Sequence, residues 1–456
     1  MKKIGIYVQV PFCQTRCTYC NFHTGVVATS RFAPYVEAVC GEIRGHRELL
    51  RAAGIGWGSG EWPATAGRRV THHGGQASGE QEGQEFAVDT VYVGGGTPSL
   101  LEPVHLQNIL DAIRETFGCE RDGQGGRSSA APLQESGVAP GEEGGKVPDG
   151  RDGKAPASEG GRYELLEEVT LEADPETVEA GKAAAWVAAG INRVSFGVQS
   201  FVDKELVAAG RMHRRGDIYR AVPILRAAGI GNISFDLIAG LPHQTRDSWR
   251  QSLDELMAIG PEHVSVYLLE IDEGSRLGAE LLGGGKKYSA GAVPSEDEMA
   301  EFYELAQERL GAAGYHHYEI SNWAKPGFES KHNLKYWRRE PYLGFGAGAH
   351  SFSGTERWAN AHDAAAYVAA IQSGRLPMEQ HEVLTTESAL EEELFLGLRQ
   401  LDGIDVGRIE KEYGASLAAR FDPLALAGLV KRDGSIVRLA REKLSVSNEV
   451  FVELMR

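Results

Sequence analysis

Three cysteines near the start of the chain have a spacing that suits metal chemistry. Cys13, Cys17 and Cys20 are separated by three and two intervening residues. Thiolates are soft ligands that bind iron–sulfur clusters or zinc. Three of them on one loop can hold three corners of a four-iron cluster and leave the fourth iron without a protein ligand. Zinc is the alternative, because a structural zinc site takes four ligands and His23 follows three residues after Cys20.

The other two cysteines do not belong to this group. Cys40 and Cys119 lie far from it and from each other in the sequence. Cys40 falls on the apolar face of a predicted helix, where a buried, inert thiol is expected. Five cysteines used in this way do not make a disulfide framework.

Six strand-like segments, each followed by a helical pattern, account for the first 290 residues. The predicted strands are Lys3–Val10, Thr90–Gly94, Glu168–Ala173, Arg193–Val198, Asn232–Ile238 and His263–Leu269. Such alternation predicts an α/β fold with a parallel sheet and right-handed crossovers. Six units are too few for an eight-stranded TIM barrel but suit an open, three-quarter (βα)6 barrel. The cysteines follow the first strand, at the carboxyl end where such sheets carry their chemistry.

Two segments interrupt this alternation. Residues 54–85 and 121–161 are rich in Gly, Ser, Glu and Pro and poor in apolar residues. They cannot bury enough surface to offset the entropy of ordering the chain. We predict disordered insertions in surface loops.

The pattern changes after the barrel, which we assign to residues 1–290. A helix at Ser295–Ala313 and an aromatic-rich stretch precede a Gly-rich one in a connecting region, residues 291–384. Residues 385–456 predict a small C-terminal α+β domain of winged-helix type. Its hairpin is expected at Ile436–Leu439 and Leu444–Val446.

Charge and hydropathy exclude two classes of function. The formal net charge of −17 argues against a general nucleic-acid binder, which needs Lys and Arg to neutralise phosphates. We find no apolar run long enough to span a bilayer and no apolar signal core at the start of the chain. We therefore expect a cytoplasmic protein with no stable membrane insertion.

The cysteine loop, together with the segment Gly94-Gly95-Gly96-Thr97-Pro98 at the end of the second strand, resembles the radical S-adenosylmethionine (SAM) superfamily. The resemblance implies a 4Fe-4S cluster held by Cys13, Cys17 and Cys20. SAM would bind the open iron through its amino and carboxylate groups, and the glycine segment would contact its amino group. An electron from the cluster would then break a carbon–sulfur bond of SAM and release a 5′-deoxyadenosyl radical.

Further segments resemble the oxygen-independent coproporphyrinogen oxidase group. They are Leu171–Pro175, Gly197–Ser200, Arg211 and Asp236. This resemblance implies that Tyr7, Gly95 and Glu172 contact the cluster-bound SAM. It also implies a second SAM site, lined by Tyr19, Gly96, Thr97, Gln199, Arg211 and Asp236.

Two departures favour the sister family, the HemW-type haem chaperones. The oxidases usually carry a fourth cysteine two residues after the third, and this chain has Phe22 there. The segment from His332 to Trp337 is similar to the His-Asn-x-x-Tyr-Trp segment linked to haem binding in that family. It implies that His332 ligates haem iron while Tyr336 and Trp337 pack on the porphyrin. The alternative is a hydrogen-bonded histidine among core aromatics.

The resemblance therefore predicts a protein that holds a cluster, SAM and haem and passes haem to an apo-haemoprotein. Contact with a membrane haemoprotein would be transient. One alternative is a coproporphyrinogen III oxidase that decarboxylates two propionates, an activity that we predict to be absent. Another radical SAM enzyme is the third hypothesis, because a barrel alone does not define chemistry.

Overall fold

A computed structural model describes residues 2–55, 86–120 and 164–455. The predicted insertions at 54–85 and 121–161 lie outside these ranges, apart from Gly54 and Ile55. In chain order the described strands are β1 (Lys2–Val10), β2 (Phe86–Gly95), β3 (Cys119–Glu120), β4 (Glu164–Leu165), β5 (Glu168–Ala173), β6 (Arg193–Gln199), β7 (Asn232–Ala239), β8 (His263–Leu268), β9 (His316–Glu319), β10 (Asn322–Ala324), β11 (Tyr342–Phe345), β12 (His350–Phe352), β13 (Glu356–Asn360), β14 (Met378–Val383), β15 (Ile404–Asp405), β16 (Val430–Asp433) and β17 (Ile436–Leu439).

Helices alternate with the strands of the first half and dominate the second. The α-helices are α1 (Phe32–Ala52), α2 (Pro103–Phe117), α3 (Ala180–Ala189), α4 (Asp203–Ala208), α5 (Arg215–Ala228), α6 (Arg246–Ile259), α7 (Arg276–Leu282), α8 (Glu296–Ala312), α9 (Lys331–Trp337), α10 (Ala364–Gln372), α11 (Thr386–Leu398), α12 (Val406–Tyr413), α13 (Ala418–Leu426) and α14 (Ser447–Leu454). Short 3-10 helices occupy Thr29–Arg31, Pro98–Leu100, Pro175–Thr177, Lys287–Ala292 and Arg441–Val446.

The six predicted barrel strands lie side by side, in the order β1-β2-β5-β6-β7-β8, and every neighbouring pair is parallel. Successive side chains of a strand face opposite sides of the sheet. On β6, Val194 and Phe196 are fully buried in the core, whereas Ser195 between them lines an internal cavity. The sheet curves around that cavity, and its order runs from β14 at one end to β9 at the other without closing. The predicted α/β three-quarter barrel is confirmed.

The sheet extends beyond the barrel at both edges. The Gly-rich stretch forms β11, which pairs in parallel with β1, and β12, β13 and β14 continue from it as antiparallel strands. On the other side, β10 pairs antiparallel with β8, and β9 pairs antiparallel with β10. The sequence analysis did not predict β11, because a four-residue strand with glycine inside it lacks a clear alternation.

A three-stranded sheet in the order β15-β17-β16 and the helices α11 to α14 form the C-terminal region. The hairpin joins β16 to β17 through a turn at Gly434, which has a φ of 60°. The predicted strand at Leu444–Val446 is wrong, because Arg441–Val446 is a 3-10 helix that buries Leu444. Three residues are too few for periodicity to separate a strand from a helical turn. Among the described residues, no helix combines the length and apolarity that crossing a bilayer requires.

Candidate cluster and SAM site

The cysteine loop leaves the carboxyl end of β1 and is closed at its base. The backbone N–H of Cys13 donates to the carbonyl of Gly25 at 3.0 Å, and that of Gly25 donates to the carbonyl of Pro11 at 2.8 Å. Further along the loop, the N–H of Thr18 donates to the carbonyl of Ala209 at 2.9 Å. The loop is thus fixed to β1 and to the residues after α4, so that its three thiols face the barrel.

All three thiols line one cavity of about 610 Å³ in the barrel. Pockets for small molecules commonly measure about 300–1,000 Å³. The predicted SAM residues that line the same cavity are Tyr19, Gly95, Gly96, Thr97, Glu172, Gln199, Arg211 and Asp236. They converge because each follows, or lies near, the carboxyl end of a parallel strand.

Tyr7 is the one predicted SAM residue that does not line the cavity. Its hydroxyl donates to the side-chain oxygen of Gln9 at 2.5 Å, and its ring stacks on Tyr92 with centroids 6.0 Å apart. Tyr92 does line the cavity. In this structure Tyr7 therefore packs behind Tyr92, which forms part of the cavity wall.

The glycine segment packs directly against the end of β1 and the start of the cysteine loop. Gly95 has a φ of 113°, and a Cβ there would lie 2.6 Å from the Gln9 amide. A Cβ on Gly96 would lie 2.5 Å from the carbonyl oxygen of Phe12. The N–H groups of Gly96 and Thr97 donate to the carbonyls of Val10 and Phe12 at 2.8 and 2.7 Å. Only glycine permits this approach of the two backbones.

Glu172 is a partly buried carboxylate held by two donors. The Tyr92 hydroxyl donates to Oε1 and the backbone N–H of Gly95 to Oε2, both at 2.8 Å. Burial raises the pKa of Glu172 to about 7, although both hydrogen bonds oppose the shift. Its charge is therefore poised to change near neutral pH. Burial likewise raises the pKa of Asp236, which accepts a hydrogen bond from Ser195 at 3.3 Å.

Arg211 connects the cysteine loop to the strand ends. Its guanidinium pairs with Asp174, donates to the carbonyl of Gly197 at 2.9 Å and lies 3.5 Å from the Cys17 sulfur. Sequence reasoning had not assigned a role to Asp174 or Tyr92. Their positions at the carboxyl ends of β5 and β2 were the available signal.

Gln199 shows that this end of the sheet is shaped for a ligand. It has a φ of 63°, which is uncommon for a residue other than glycine, and its side-chain oxygen is buried and finds no hydrogen-bond partner in the part of the chain that the structure describes. Strained backbone and unpaired buried polar atoms are typical of ligand sites. This atom fits the donor groups of a polar ligand such as SAM.

The donor set also fits a cluster. Burial raises the pKa of Cys13 and of Cys20, so both need a bound metal to ionise fully at neutral pH. Within residues 2–55, 86–120 and 164–455, no three His, Cys, Asp or Glu side chains are grouped to hold a single metal ion. His23, the candidate fourth ligand for zinc, stacks on His362 with ring centroids 4.0 Å apart and does not line the cavity.

Comparison with known proteins agrees with this geometry. Residues 77–256 match the model of the Radical SAM superfamily, and residues 384–442 match that of the HemN C-terminal domain. The chain is 31% identical to the heme chaperone HemW of Bacillus subtilis over 98% of this chain and 97% of that protein. It is 32% identical to the heme chaperone HemW of Synechocystis over 87% of this chain and 78% of that protein. The chain belongs to the HemW family of radical SAM proteins.

A solved structure shares the fold of this HemW family member. Coproporphyrinogen III oxidase (HemN) from Escherichia coli superposes with a TM-score of 0.71 at 18% identity, covering 99% of this chain and 90% of that one. The similarity supports the partial barrel and its C-terminal addition. Membership of the superfamily implies a 4Fe-4S cluster and SAM.

The segment predicted to contact haem lies on α9, which packs against β2 and α11. His332 is 1% exposed; its Nδ1 lies 3.0 Å from the Thr90 hydroxyl and its Nε2 2.9 Å from the Tyr336 hydroxyl. Trp337 is half-buried and packs edge-on against Tyr318. Both imidazole nitrogens are therefore engaged within the fold, as in the alternative considered from the sequence. Haem ligation by His332 stays a prediction, and it would require one of these two hydrogen bonds to break, because an imidazole binds iron through a single nitrogen.

Proposed function

We propose that this protein binds a 4Fe-4S cluster, SAM and haem, and delivers haem to an apo-haemoprotein. The observation that carries the proposal is full-length similarity to relatives named heme chaperone HemW, combined with Phe22 two residues after Cys20. Phe22 lines the mouth of the cavity and is 65% exposed. A phenyl ring has no thiol, so this chain lacks the fourth cysteine that the oxidases usually carry at this position.

Cys13, Cys17 and Cys20 would hold the cluster, which supplies an open iron and an electron. Gly95, whose missing Cβ lets the glycine segment pack against Gln9, would present its backbone to the amino-acid part of the cluster-bound SAM. Glu172 would attract the positive charges of SAM when it is ionised. Tyr7 would act on SAM indirectly, by positioning Tyr92, on which its ring stacks.

A second SAM site in the same cavity is a further part of the proposal. Asp236 would accept hydrogen bonds from ribose hydroxyls. Arg211 would fork onto a carboxylate, the geometry that a planar guanidinium favours. Tyr19, Gly96, Thr97 and Gln199 would complete the wall. Because Asp174 now occupies the Arg211 guanidinium, a ligand carboxylate has to share or replace that pair.

The runner-up is a coproporphyrinogen III oxidase, because the fold matches a solved oxidase over nearly the whole chain. We propose that this activity is absent. A cytoplasmic location and a short-lived contact with the acceptor, including a membrane haemoprotein, complete the proposal.

One experiment separates the two functions. The full chain is reconstituted anaerobically, titrated with haem, and tested for haem transfer to an apo-haemoprotein and for conversion of coproporphyrinogen III with SAM and a reductant. Haem binding and transfer without decarboxylation are expected. Conversion to protoporphyrinogen IX would replace the chaperone function with that of an oxidase.

A further inference from the structure

Three histidines form a group beside the cysteine loop; we refer to His23, His350 and His362 as the histidine group. The rings of His23 and His362 have centroids 4.0 Å apart and planes inclined at 34°. Burial lowers the pKa of His350, and nearby His362, Arg357 and His23 lower it further, which places the three imidazoles in one neighbourhood. Segments far apart in the sequence therefore present imidazoles at one place.

This place adjoins the cavity without being part of it. Phe22 and Thr24 both line the cavity, whereas His23 between them does not. His23 points instead to His362, which follows β13. Gly348 makes this possible: it has a φ of 73°, and a Cβ there would lie 2.9 Å from Nδ1 of His362. A ligand of His23 would thus lie on the outer rim and leave the cavity free for SAM.

The two stacked imidazoles differ in access. His23 is exposed, whereas Nδ1 of His362 is buried and has no hydrogen-bond partner among the described residues. With their centroids only 4.0 Å apart, the rings cannot bind one iron from opposite sides. His23 is therefore the ring that a large ligand can reach, and His362 is the ring that supports it.

Apolar side chains flank His23 in solvent. Phe22, Val26 and Val27 are 65%, 60% and 40% exposed. Apolar groups clustered at the surface mark sites for ligands or partners. An exposed imidazole flanked by apolar side chains suits a flat, largely apolar ligand whose metal binds imidazole. Haem is such a ligand.

Six other histidines of the described residues are already engaged. His46, His213, His263, His317 and His332 have ring nitrogens hydrogen-bonded inside the fold, and His381 pairs with Glu356. For His332, both nitrogens are used. The first five of these rings are buried, so a haem could not reach them without moving the surrounding chain, whereas His23 offers an exposed ring.

We propose that haem binds on the outer rim of the cysteine loop, with His23 as the axial ligand and His362 as a positioning residue behind it. Phe22, Val26 and Val27 contact the porphyrin. The inference rests on the proposed haem binding and names its site.

The test uses the anaerobically reconstituted full chain, titrated with haem and followed by the Soret band and electron paramagnetic resonance. His23→Ala is expected to shift the Soret band and weaken binding about tenfold or more, with the iron content of the cluster unchanged. The matched control is His381→Ala, an exposed histidine on β14, which should behave as wild type. Phe22→Ser should weaken binding several-fold without moving the Soret band, because the ligand is kept.

The role of His362 is tested separately, by electron paramagnetic resonance. His362→Ala should broaden the signal of the ligated haem iron, because His23 loses the ring that it stacks on. His362→Phe keeps a stacked ring and should restore the sharp signal. A wild-type haem spectrum in His23→Ala would overturn the site while leaving the chaperone proposal standing. Loss of cluster iron in His23→Ala would assign that residue to the cluster instead. If the wild type binds no haem, the proposed function fails together with the site.

Discussion

Glu172 and Gly95 are 77 residues apart in the chain, yet the Glu172 carboxylate accepts a hydrogen bond from the Gly95 backbone N–H at 2.8 Å. The contact joins the ends of β5 and β2 at the wall of the cavity. It fixes the glycine segment and at the same time places a partly buried, titratable carboxylate beside it.

SAM binding should depend on the charge of Glu172. Since burial raises its pKa to about 7, the group is ionised above that pH and neutral below it. SAM carries a sulfonium and an ammonium, so its affinity should fall by up to about tenfold per pH unit below pH 7. Glu172→Gln should flatten this profile and weaken binding above pH 7 by about tenfold, or ~1.4 kcal/mol. Calorimetry between pH 6 and 8 measures the SAM affinity, and Glu48→Gln, at an exposed position, is the control. A pH profile in Glu172→Gln equal to that of wild type would contradict this role of Glu172.

The cluster should require three of the five cysteines. Replacing Cys13, Cys17 or Cys20 with Ala should each abolish the brown absorbance and the bound iron of the reconstituted protein. Cys40→Ala and Cys119→Ala should keep the cluster, because both thiols are buried in the core, 5% and 7% exposed. An intact cluster in Cys17→Ala would overturn the ligand assignment.

Arg211 should tune the cluster through Cys17. Its guanidinium lies 3.5 Å from the sulfur, where a positive charge stabilises the more negative, reduced cluster. A hydrogen bond to a charged group contributes about 1.5 kcal/mol or more, so Arg211→Gln should lower the one-electron potential by roughly 60 mV. A potentiometric titration checks this against exposed Arg220→Gln. Equal potentials in the two variants would exclude the contact as a determinant.

Glu42 should make unfolding pH-dependent. It is 2% exposed and accepts hydrogen bonds from Tyr367, Asn360 and the Gly346 backbone at 2.6, 2.7 and 2.9 Å. Burial raises its pKa from 4.5 to about 7, so the folded state binds the proton more tightly than the unfolded state. The free energy of unfolding should therefore fall as pH rises between about 4.5 and 7, by about 3 kcal/mol from this group. Glu42→Gln should show a shallower decline in denaturant titrations; an identical slope would contradict the buried-acid explanation.

His332 should stabilise the barrel. His332→Ala leaves Thr90 and Tyr336 without a partner and opens a space in the core, so the free energy of unfolding should fall by about 2–4 kcal/mol. Urea titration measures this change. A variant as stable as wild type would show that the two hydrogen bonds contribute little.

The sequence by itself determined the parts that depend on local pattern. The spacing of Cys13, Cys17 and Cys20, the six parallel strands and the glycine segment were all readable, because ligand spacing and side-chain periodicity are properties of short stretches. Since the carboxyl ends of parallel strands meet at one edge, the sequence also indicated that residues such as Glu172 and Asp236 would converge. Resemblance then supplied the cofactors.

Only the tertiary structure decided what these residues contact. The pairing of Arg211 with Asp174 and of Glu172 with Gly95 joins segments whose separation no periodicity encodes. Whether His332 faces a ligand or the core depended on α9 packing against Thr90 of β2, a contact between residues 242 positions apart. Likewise, the stacking of His23 on His362 depends on the strand order β13-β12-β11-β1, which brings the residues after β13 near the loop that follows β1. Burial raises the pKa of Glu172 and of Glu42, and burial is a property of the packed structure rather than of the amino-acid sequence.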